Sequence, residues 1–446
     1  MRKITVAWIT RLIEMSLPTL LEITGRIFET MADFRKQQGC FSLRDVLMSG
    51  LAMFSLKFPS LLMFNDKRHD AVVRFNLHEL FGVEQAPCDT QMRRVLDEVD
   101  PTEFDSVFGA LHRHIGKQPV FEHYRFQRDY LLVAIDGVEH FCSNKVSCEH
   151  CCRRTLKNGQ TQYYHQALTA AIVPPERTQV LPIAVEAILR AVDQSKNTGE
   201  LKALVRLLKK IREIYPTERI IITLDSLYGK GPCIKLLKRM GFNYIIVIKE
   251  TDHATLFETI QKKLRAGETT EFEVTTETGE LRGYRYLDDV ALNKSYPHLK
   301  VNYLDYWEIS KKGKEYQCLW ITDLPLHRES VYPTMRGGRA RWKIENETFN
   351  TLKNQGYEFE HNYGHGKKHL ATVMINLTLL AFLIDQIQEL GCSLFQAARH
   401  RCGSRRALWE ELRGLFRDYF IEGWEVLWLT LAGQHPKNGR LVLDTS

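Results

Sequence analysis

The pattern of apolar and polar positions divides the chain into three stretches, and the first of them is helical. Over residues 1–125, apolar side chains recur at helical spacing, as they do in the segment 41–54. The segment 88–97 has the pattern of a short helix that carries Arg93 and Arg94. These arginines could belong to a DNA-reading helix, or they could be solvated residues of an ordinary packed helix.

The middle stretch alternates short apolar runs with helical segments. In chain order, the pattern predicts strands at 131–137, 163–173 and 179–185, a helix at 200–214, a strand at 219–225, a helix at 232–240 and a strand at 243–249. The resulting β-β-β-α-β-α-β order is typical of an α/β fold.

The last stretch begins with alternating, strand-like positions at 271–322 and returns to helices after a break at Gly337 and Gly338. Its longest apolar run, 370–384, contains Asn376 and is shorter than the roughly 20 residues that a membrane helix needs. We therefore interpret this run as a buried helix. The predicted units are a helical domain at 1–125, the first part of a core at 126–250, a β-rich insertion at 251–330, the end of the core at 331–390 and a helical region at 391–446.

Composition and charge give only weak indications of the partner and the compartment of the protein. The 446 residues have a net charge of +7, which weakly favours an anionic partner. Ten cysteines in so long a chain, with no secretory signal in the sequence, suggest a reducing compartment and a cytoplasmic protein.

Two predicted strands each end in an aspartate, Asp136 and Asp225. Side chains at the carboxyl ends of strands line the crevice where ligands bind, so neighbouring strands would bring these two acids together. Two ionised carboxylates that lie close together repel each other unless a cation is present, and Mg²⁺ prefers such oxygen ligands. Alternatively, each aspartate only starts a turn.

A third acid lies on the predicted helix 341–353. Arg341, Glu345 and Lys353 are spaced at multiples of four on one stripe, so bases flank the glutamate. An ordinary surface helix with ion pairs would show the same stripe, and Glu347 leaves the identity of the third carboxylate open.

Together these three blocks resemble the DDE transposases of bacterial insertion sequences. The resemblance rests on the strand order, on Asp136 and Asp225 at the ends of the first and fourth strands, and on a strand-rich block before the glutamate. Arg341-x3-Glu345 matches the Tyr-x2-Arg-x3-Glu-x6-Lys motif of these enzymes. Gly338 stands at the tyrosine position, and Lys353 lies one residue beyond the lysine position.

The resemblance implies an RNase H-like mixed sheet flanked by helices, and a catalytic centre with two Mg²⁺ ions that Mn²⁺ can replace. Asp136 and Asp225 would hold both ions and Glu345 one of them. Water would cleave the phosphodiester at a transposon end, and the released 3′-hydroxyl would attack target DNA. The residues 1–125 would bind double-stranded DNA ends, and a homodimer would bridge two of them. The alternatives are a metal-dependent nuclease of the same fold and a non-catalytic DNA-binding protein derived from a transposase.

Two further groups of side chains could bind a metal or DNA. Cys148 and Cys151 have zinc-knuckle spacing, and Cys142 and His165 could complete four ligands of a structural zinc, although free thiols would explain them equally. Basic side chains that could contact DNA phosphates are Arg93, Arg94, Arg341, Lys353, Lys367 and Lys368. For the last two, a solvated loop is the alternative.

Overall fold

A large mixed sheet organises the molecule. The computed structural model describes residues 14–35, 39–189, 196–436 and 439–443, and it describes 196–198 by their backbone alone. The strands of the sheet are β1 (Arg125–Phe126), β2 (Tyr130–Ser143), β3 (Cys152–Thr155), β4 (Thr161–Ile172), β5 (Leu181–Ala187), β6 (Arg219–Leu224), β7 (Asn243–Val247), β8 (Thr270–Thr275), β9 (Leu281–Asn293), β10 (Tyr296–Ile309) and β11 (Glu315–Thr322). Their order is β3-β4-β2-β6-β7-β11-β10-β9-β8, with β5 paired to β4 and β1 to β2.

The predicted strand order of the core is confirmed. Strands β2, β4 and β5 pair antiparallel, whereas β6 and β7 continue the sheet parallel to β2. The central strands β2 and β6 carry nearly continuous runs of buried Leu, Val and Ile, the composition expected where helices cover both faces of a sheet. The short strand β3, which pairs with β4, is an addition that the apolar pattern did not predict.

Helices surround this sheet. They are α1 (Leu17–Thr30), α2 (Leu43–Ser55), α3 (Leu61–Lys67), α4 (Ala71–Phe81), α5 (Asp89–Leu96), α6 (Phe104–Ile115), α7 (Lys196–Ile214), α8 (Gly231–Arg239), α9 (Ala254–Arg265), α10 (Val331–Ala340), α11 (Asn350–Asn354), α12 (Leu370–Gly391), α13 (Ser393–Cys402), α14 (Arg405–Asp418) and α15 (Trp424–Leu431). A small two-stranded sheet joins β12 (Tyr419–Ile421) to β13 (Leu441–Leu443).

The predicted β-rich insertion lies on the same sheet as the core. Strand β11 pairs antiparallel with β7 over Thr322, Ile321 and Trp320, and β10, β9 and β8 follow outward. The segment 251–330 therefore extends the edge of the central sheet through backbone hydrogen bonds. The domain boundaries proposed from the sequence stay predictions.

The helix α12 is the buried helix that the longest apolar run predicted. Of the residues that the structure describes, this is the one helix long and apolar enough to cross a membrane, yet 94% of its most apolar stretch lies inside the protein. It packs against α2 and β5, so a helix near the start of the chain and a strand of the core cover it.

A buried ion pair also links the first and last parts of the chain. The ammonium group of Lys57, which is fully buried, lies 2.6 Å from a carboxylate oxygen of Asp385 on α12. Tyr357 donates a hydrogen bond of 2.7 Å to the same oxygen, and Trp409 stacks on the ammonium group at 4.2 Å. Separating Lys57 from Asp385 would leave a buried charge uncompensated, which is costly. The network therefore favours one arrangement of the N-terminal helices against α12.

The break predicted at Gly337 and Gly338 is wrong, because both glycines lie inside the helix α10. A Cβ atom on Gly338 would lie 2.4 Å from Nε1 of Trp320, and one on Gly337 would lie 2.9 Å from Ile245 and Phe126. The glycines therefore let α10 approach the sheet closely. The sequence predicts a break here because consecutive glycines are typical of loops, and the apolar pattern does not reveal close packing between distant residues.

The segment after α10 is a π-helix, Ile344–Phe349, where the sequence predicted regular α-helix. A π-helix closes i→i+5 hydrogen bonds, so its faces do not follow α-helical periodicity. The predicted stripe accordingly divides: Arg341 is buried, whereas Glu345 is exposed.

Gly338→Ala should destabilise the protein, because the added methyl group overlaps the Trp320 ring at the helix–sheet contact. We expect a loss of about 1–3 kcal/mol in the free energy of unfolding, measured by denaturant titration. Gly414→Ala is the matched control, since Gly414 lies within α14 and a Cβ atom there meets no atom within 4 Å. That variant should be neutral or up to about 1 kcal/mol more stable. Equal effects of the two substitutions would contradict the packing role of Gly338.

Candidate active site

The register of two parallel strands places Asp136 beside Asp225. The last paired residues of β2 and β6 are Ala134 and Thr223, and each aspartate follows two residues later, Asp136 within β2 and Asp225 just after β6. Since neighbouring strands lie about 4.8 Å apart and an in-register pair shares one face of the sheet, the two carboxylates start from adjacent positions.

The two aspartates differ in their local backbone. Strand β2 continues to Ser143, so Asp136 does not start a turn, and its Oδ1 accepts a hydrogen bond of 2.8 Å from the amide of Gly137. Asp225 does start a turn: its Oδ1 accepts a hydrogen bond of 3.0 Å from the amide of Leu227. The turn-forming alternative therefore describes Asp225 in part and does not describe Asp136.

Arg341 joins the third carboxylate to this pair. Its Nη1 lies 2.8 Å from Oδ2 of Asp136 and 2.8 Å from Oε1 of Glu345. The arginine side chain is 9% exposed, whereas that of Glu345 is 49% exposed. A single buried guanidinium group therefore holds a carboxylate of the central strand against a carboxylate of the π-helix.

The electrostatics of the pocket favour a bound cation. Burial raises the pKa of Asp136 to about 7, the charge of Arg341 lowers it, and the adjacent carboxylate of Glu345 raises it again. A carboxylate with so high a pKa is costly to ionise in its present surroundings. A divalent cation placed between the acids would remove that cost.

Glu347 faces a different neighbour. Its charge raises the pKa of Lys343, which burial lowers. The ammonium group of Lys343 donates hydrogen bonds of 2.8 Å and 3.1 Å to the carbonyl groups of Pro174 and Pro175, and another to that of Arg177. Lys343, which the sequence analysis missed, thus ties the turn between β4 and β5 to the segment that carries Glu345.

Tyr228 and Glu200 are two further titratable residues near the aspartates. Burial raises the pKa of the Tyr228 hydroxyl above its usual value, and the nearby carboxylates of Glu200, Asp225 and Asp136 raise it further. A Cβ atom on Gly137 would lie 4.0 Å from a carboxylate oxygen of Glu200. The apolar pattern of α7 gave no sign that one of its acids approaches this pocket.

This donor set suits the divalent cations that the resemblance implies. It consists of carboxylate oxygens, which are hard ligands, and they come from neighbouring strands and one adjoining helix. Asp136, Asp225 and Glu345 are the side chains that would hold the cations.

The basic residues predicted to contact DNA occupy varied environments. Arg93 makes an ion pair of 2.7 Å with Asp89, Lys353 makes one of 3.1 Å with Glu360, and Arg94 lies on the exposed surface. The phosphate-binding roles of these three residues stay predictions.

The backbone amides of Lys367 and Lys368 take part in the cap at the start of α12. The carboxylate of Asp97 accepts hydrogen bonds from the amides of Lys367, Lys368, His369 and Leu370, at 2.8 to 3.0 Å. Asp97 follows α5, so the N-terminal region supplies the cap of α12, where a negative charge is favourable. The ammonium group of Lys368 pairs with Glu98 at 2.7 Å.

Three of the four predicted zinc ligands lie close together in the structure. Cys148, Cys151 and His165 converge, and the fourth member of the group is His365. Cys142 is exposed and lies 3.8 Å from a guanidinium nitrogen of Arg154 instead, which corrects the predicted set. His365 lies 200 residues beyond His165 in the chain, so no local spacing could have indicated it.

The comparisons with known proteins support one family. A family model described as "Transposase DDE domain" matches residues 154–383, slightly more than half of the chain. The matched segment contains Asp225 and Glu345, and it begins after Asp136. No curated protein matches the sequence.

One solved structure that resembles the chain is a cryo-electron microscopy structure of the piggyBac transposase synaptic complex with hairpin DNA. It is 12% identical, with a TM-score of 0.40, over 96% of this chain and 78% of that chain. That similarity is too low to support an argument about function. Because the family model covers more than half of its residues, the chain belongs to the DDE transposases.

Proposed function

We propose that Asp136, Asp225 and Glu345 are the catalytic carboxylates of this DNA transposase, and that they serve both cleavage at transposon ends and strand transfer into target DNA. Two observations support the proposal: Asp136 and Asp225 follow the last paired residues of β2 and β6 at equivalent positions, and Arg341 contacts both Asp136 and Glu345 at 2.8 Å. Membership of the DDE transposases, which rests on the family model and not on this geometry, implies phosphoryl-transfer chemistry.

We propose Mg²⁺ as the metal, with Mn²⁺ as a substitute. When bound, two such ions polarise the phosphate and stabilise the charge on the attacking and leaving oxygens. The protein contributes a pocket of fixed carboxylates, with Asp136 and Asp225 set by the sheet and Glu345 set by Arg341. Arg341 is a positioning residue in this proposal, because it holds Glu345 next to Asp136.

Glu345 is the better candidate for the third acid than Glu347. Glu345 shares Arg341 with Asp136, whereas the charge of Glu347 acts on Lys343. The π-helix also accounts for the position of Lys353, since a π-turn accommodates one residue more than an α-turn. The lysine can therefore follow Glu345 by one residue more than the family motif requires without a change in the face it occupies.

For the partners, we propose double-stranded DNA and a homodimer that bridges two transposon ends. The helical residues 1–125 are the proposed end-binding region, with Arg93 and Arg94 as contacts. Arg341, Lys353, Lys367 and Lys368 are the proposed contacts near the carboxylates. The protein would then be cytoplasmic and associated with DNA. Light scattering of the chain with and without end-containing duplexes measures the stoichiometry.

A nuclease without strand transfer is the main alternative within the same chemistry. The two functions separate in an assay that supplies pre-cleaved donor ends with a free 3′-hydroxyl and a supercoiled target. A transposase joins donor to target, whereas a nuclease of this fold only nicks the DNA.

Asp136→Asn, Asp225→Asn and Glu345→Gln should each abolish Mg²⁺-dependent cleavage, because each removes a charged oxygen ligand with little change in shape. We expect a loss of at least about 10²-fold in the single-turnover cleavage rate. Glu347→Gln is the matched control and should cleave at nearly the wild-type rate. DNA-end binding, measured by fluorescence anisotropy, should be largely retained by all four variants.

A variant at 136, 225 or 345 that cleaves at the wild-type rate would show that its residue has been wrongly assigned. Loss of cleavage in Glu347→Gln, with retention in Glu345→Gln, would exchange the roles of those two acids.

The apparent affinity for Mg²⁺ should rise with pH and level off above about pH 7. Burial raises the pKa of Asp136 to about 7, so below that value the cation competes with a proton for this carboxylate. Isothermal titration calorimetry in buffers of different ionisation enthalpy measures both the affinity and the proton released. Asp136→Asn should remove the released proton. An affinity that does not change with pH in the wild-type protein would contradict this account.

A further inference from the structure

A second group of metal-ligating side chains lies outside the carboxylate pocket. Cys148 and Cys151 stand in the loop between β2 and β3, His165 lies on β4, and His365 lies in the segment between α11 and α12. One ligand atom from each residue lies within 4.8 Å of all the others. Three separate parts of the chain therefore present two sulfurs and two imidazoles to one point.

The separations of these atoms match the edges of a tetrahedron around zinc. Ligands at ordinary zinc distances lie about 3.8 Å apart for two sulfurs, about 3.5 Å for sulfur and nitrogen, and about 3.3 Å for two nitrogens. The two sulfurs are 3.8 Å apart. Three of the four sulfur–nitrogen distances are 3.5, 3.4 and 3.2 Å, the fourth is within 4.8 Å, and the Nε2 atoms of the histidines are 3.1 Å apart.

The surroundings of the cluster are those of a closed structural site. Cys151, His165 and His365 are buried, with 2%, 7% and 8% of their surfaces exposed. Nδ1 of His365 lies 2.7 Å from the carbonyl oxygen of Gly366, so it donates a proton there and leaves the lone pair of Nε2 facing the cluster. The amide of Cys148 donates a hydrogen bond of 3.4 Å to the sulfur of Cys151.

We infer that Cys148, Cys151, His165 and His365 bind one structural zinc ion, which clamps the chain that leaves the Glu345 segment onto the sheet that carries Asp136. Two cysteines and two histidines in tetrahedral array form a complete zinc coordination shell and leave no position for water or substrate. The site is therefore structural, and it is independent of the assignment of the catalytic carboxylates.

The position of the cluster explains what such a clamp would do. Strand β4, which carries His165, pairs along its length with β2, on which Asp136 lies opposite Thr169. His365 lies just before the amides that Asp97 caps at the start of α12. The zinc would thus hold the sheet, the segment after Glu345 and the N-terminal region in one arrangement, closing a loop of 200 residues between the two histidines.

A disulfide between Cys148 and Cys151 is the competing use of these thiols. Their sulfurs are 3.8 Å apart, whereas a disulfide requires about 2.05 Å, and a disulfide would leave both imidazoles without a partner at the centre of the cluster. Thiol titration of the purified protein under denaturing conditions distinguishes the two states.

The test is the metal content of the full chain, purified without a histidine tag and measured by inductively coupled plasma mass spectrometry. We expect one zinc ion per chain, and a melting temperature that falls when a strong chelator removes it and recovers with ZnCl₂. Cys151→Ser and His365→Ala should lower the zinc content by at least about tenfold. Cys142→Ser is the matched control and should retain the full amount, since Cys142 lies outside the cluster.

His365→Cys tests the zinc site even if the other variants fail to fold. It replaces one zinc ligand by another and should retain zinc, whereas a position that mattered only for packing would gain nothing from a thiol. Replacement of zinc by Co²⁺ in the wild-type protein should give the visible absorption of a tetrahedral cobalt–thiolate centre. Wild-type protein with no stoichiometric zinc, or an equal loss in Cys142→Ser, would overturn the inference. Neither result would bear on cleavage by the carboxylates.

Discussion

Ionised carboxylates that lie close together need positive charge among them, and this constraint organises the centre of the molecule. Burial alone makes Asp136 hard to ionise, and the proximity of Glu345 adds to the cost. Arg341 offsets part of that cost by contacting both carboxylates at 2.8 Å. The pocket therefore pairs acids with a cation even without metal, and a pocket of this kind is prepared to accept divalent ions in which the positive charge is more concentrated.

Other contacts of the fold hold the segment that carries Glu345 next to the strand that carries Asp136. Gly337 and Gly338 let α10 lie close against Trp320 and the sheet, and the π-helix that follows contacts β2. Lys343 fastens that segment to the turn between β4 and β5. The Cys and His cluster and the cap from Asp97 fix the chain where it leaves the segment. Separate contacts on both sides of Glu345 thus limit its movement.

Sequence reasoning identified the features that depend on local pattern. The apolar runs predict the strand order, and each of the two aspartates follows such a run, because a buried strand shows as consecutive apolar residues. The predicted end of the first strand at 137 is wrong, since β2 continues to Ser143 through residues that are only partly buried. It failed where distant parts of the chain decide the outcome. The glycine pair predicts a break because its packing partner, Trp320, lies on the distant strand β11. His365 was missed as a metal ligand because only the fold brings it to Cys148 and Cys151, and the π-helix was missed because helical propensity does not encode hydrogen-bond register.

The central proposal is that Asp136, within β2, Asp225, just after β6, and Glu345 share divalent cations. The most direct measurement is the anomalous diffraction of crystals soaked in MnCl₂, which locates each manganese ion. We predict manganese bound by Asp136 and Asp225 together, with Glu345 as a ligand of one ion. Manganese bound elsewhere, or bound by Asp225 with Asp136 still held only by Arg341, would contradict the account.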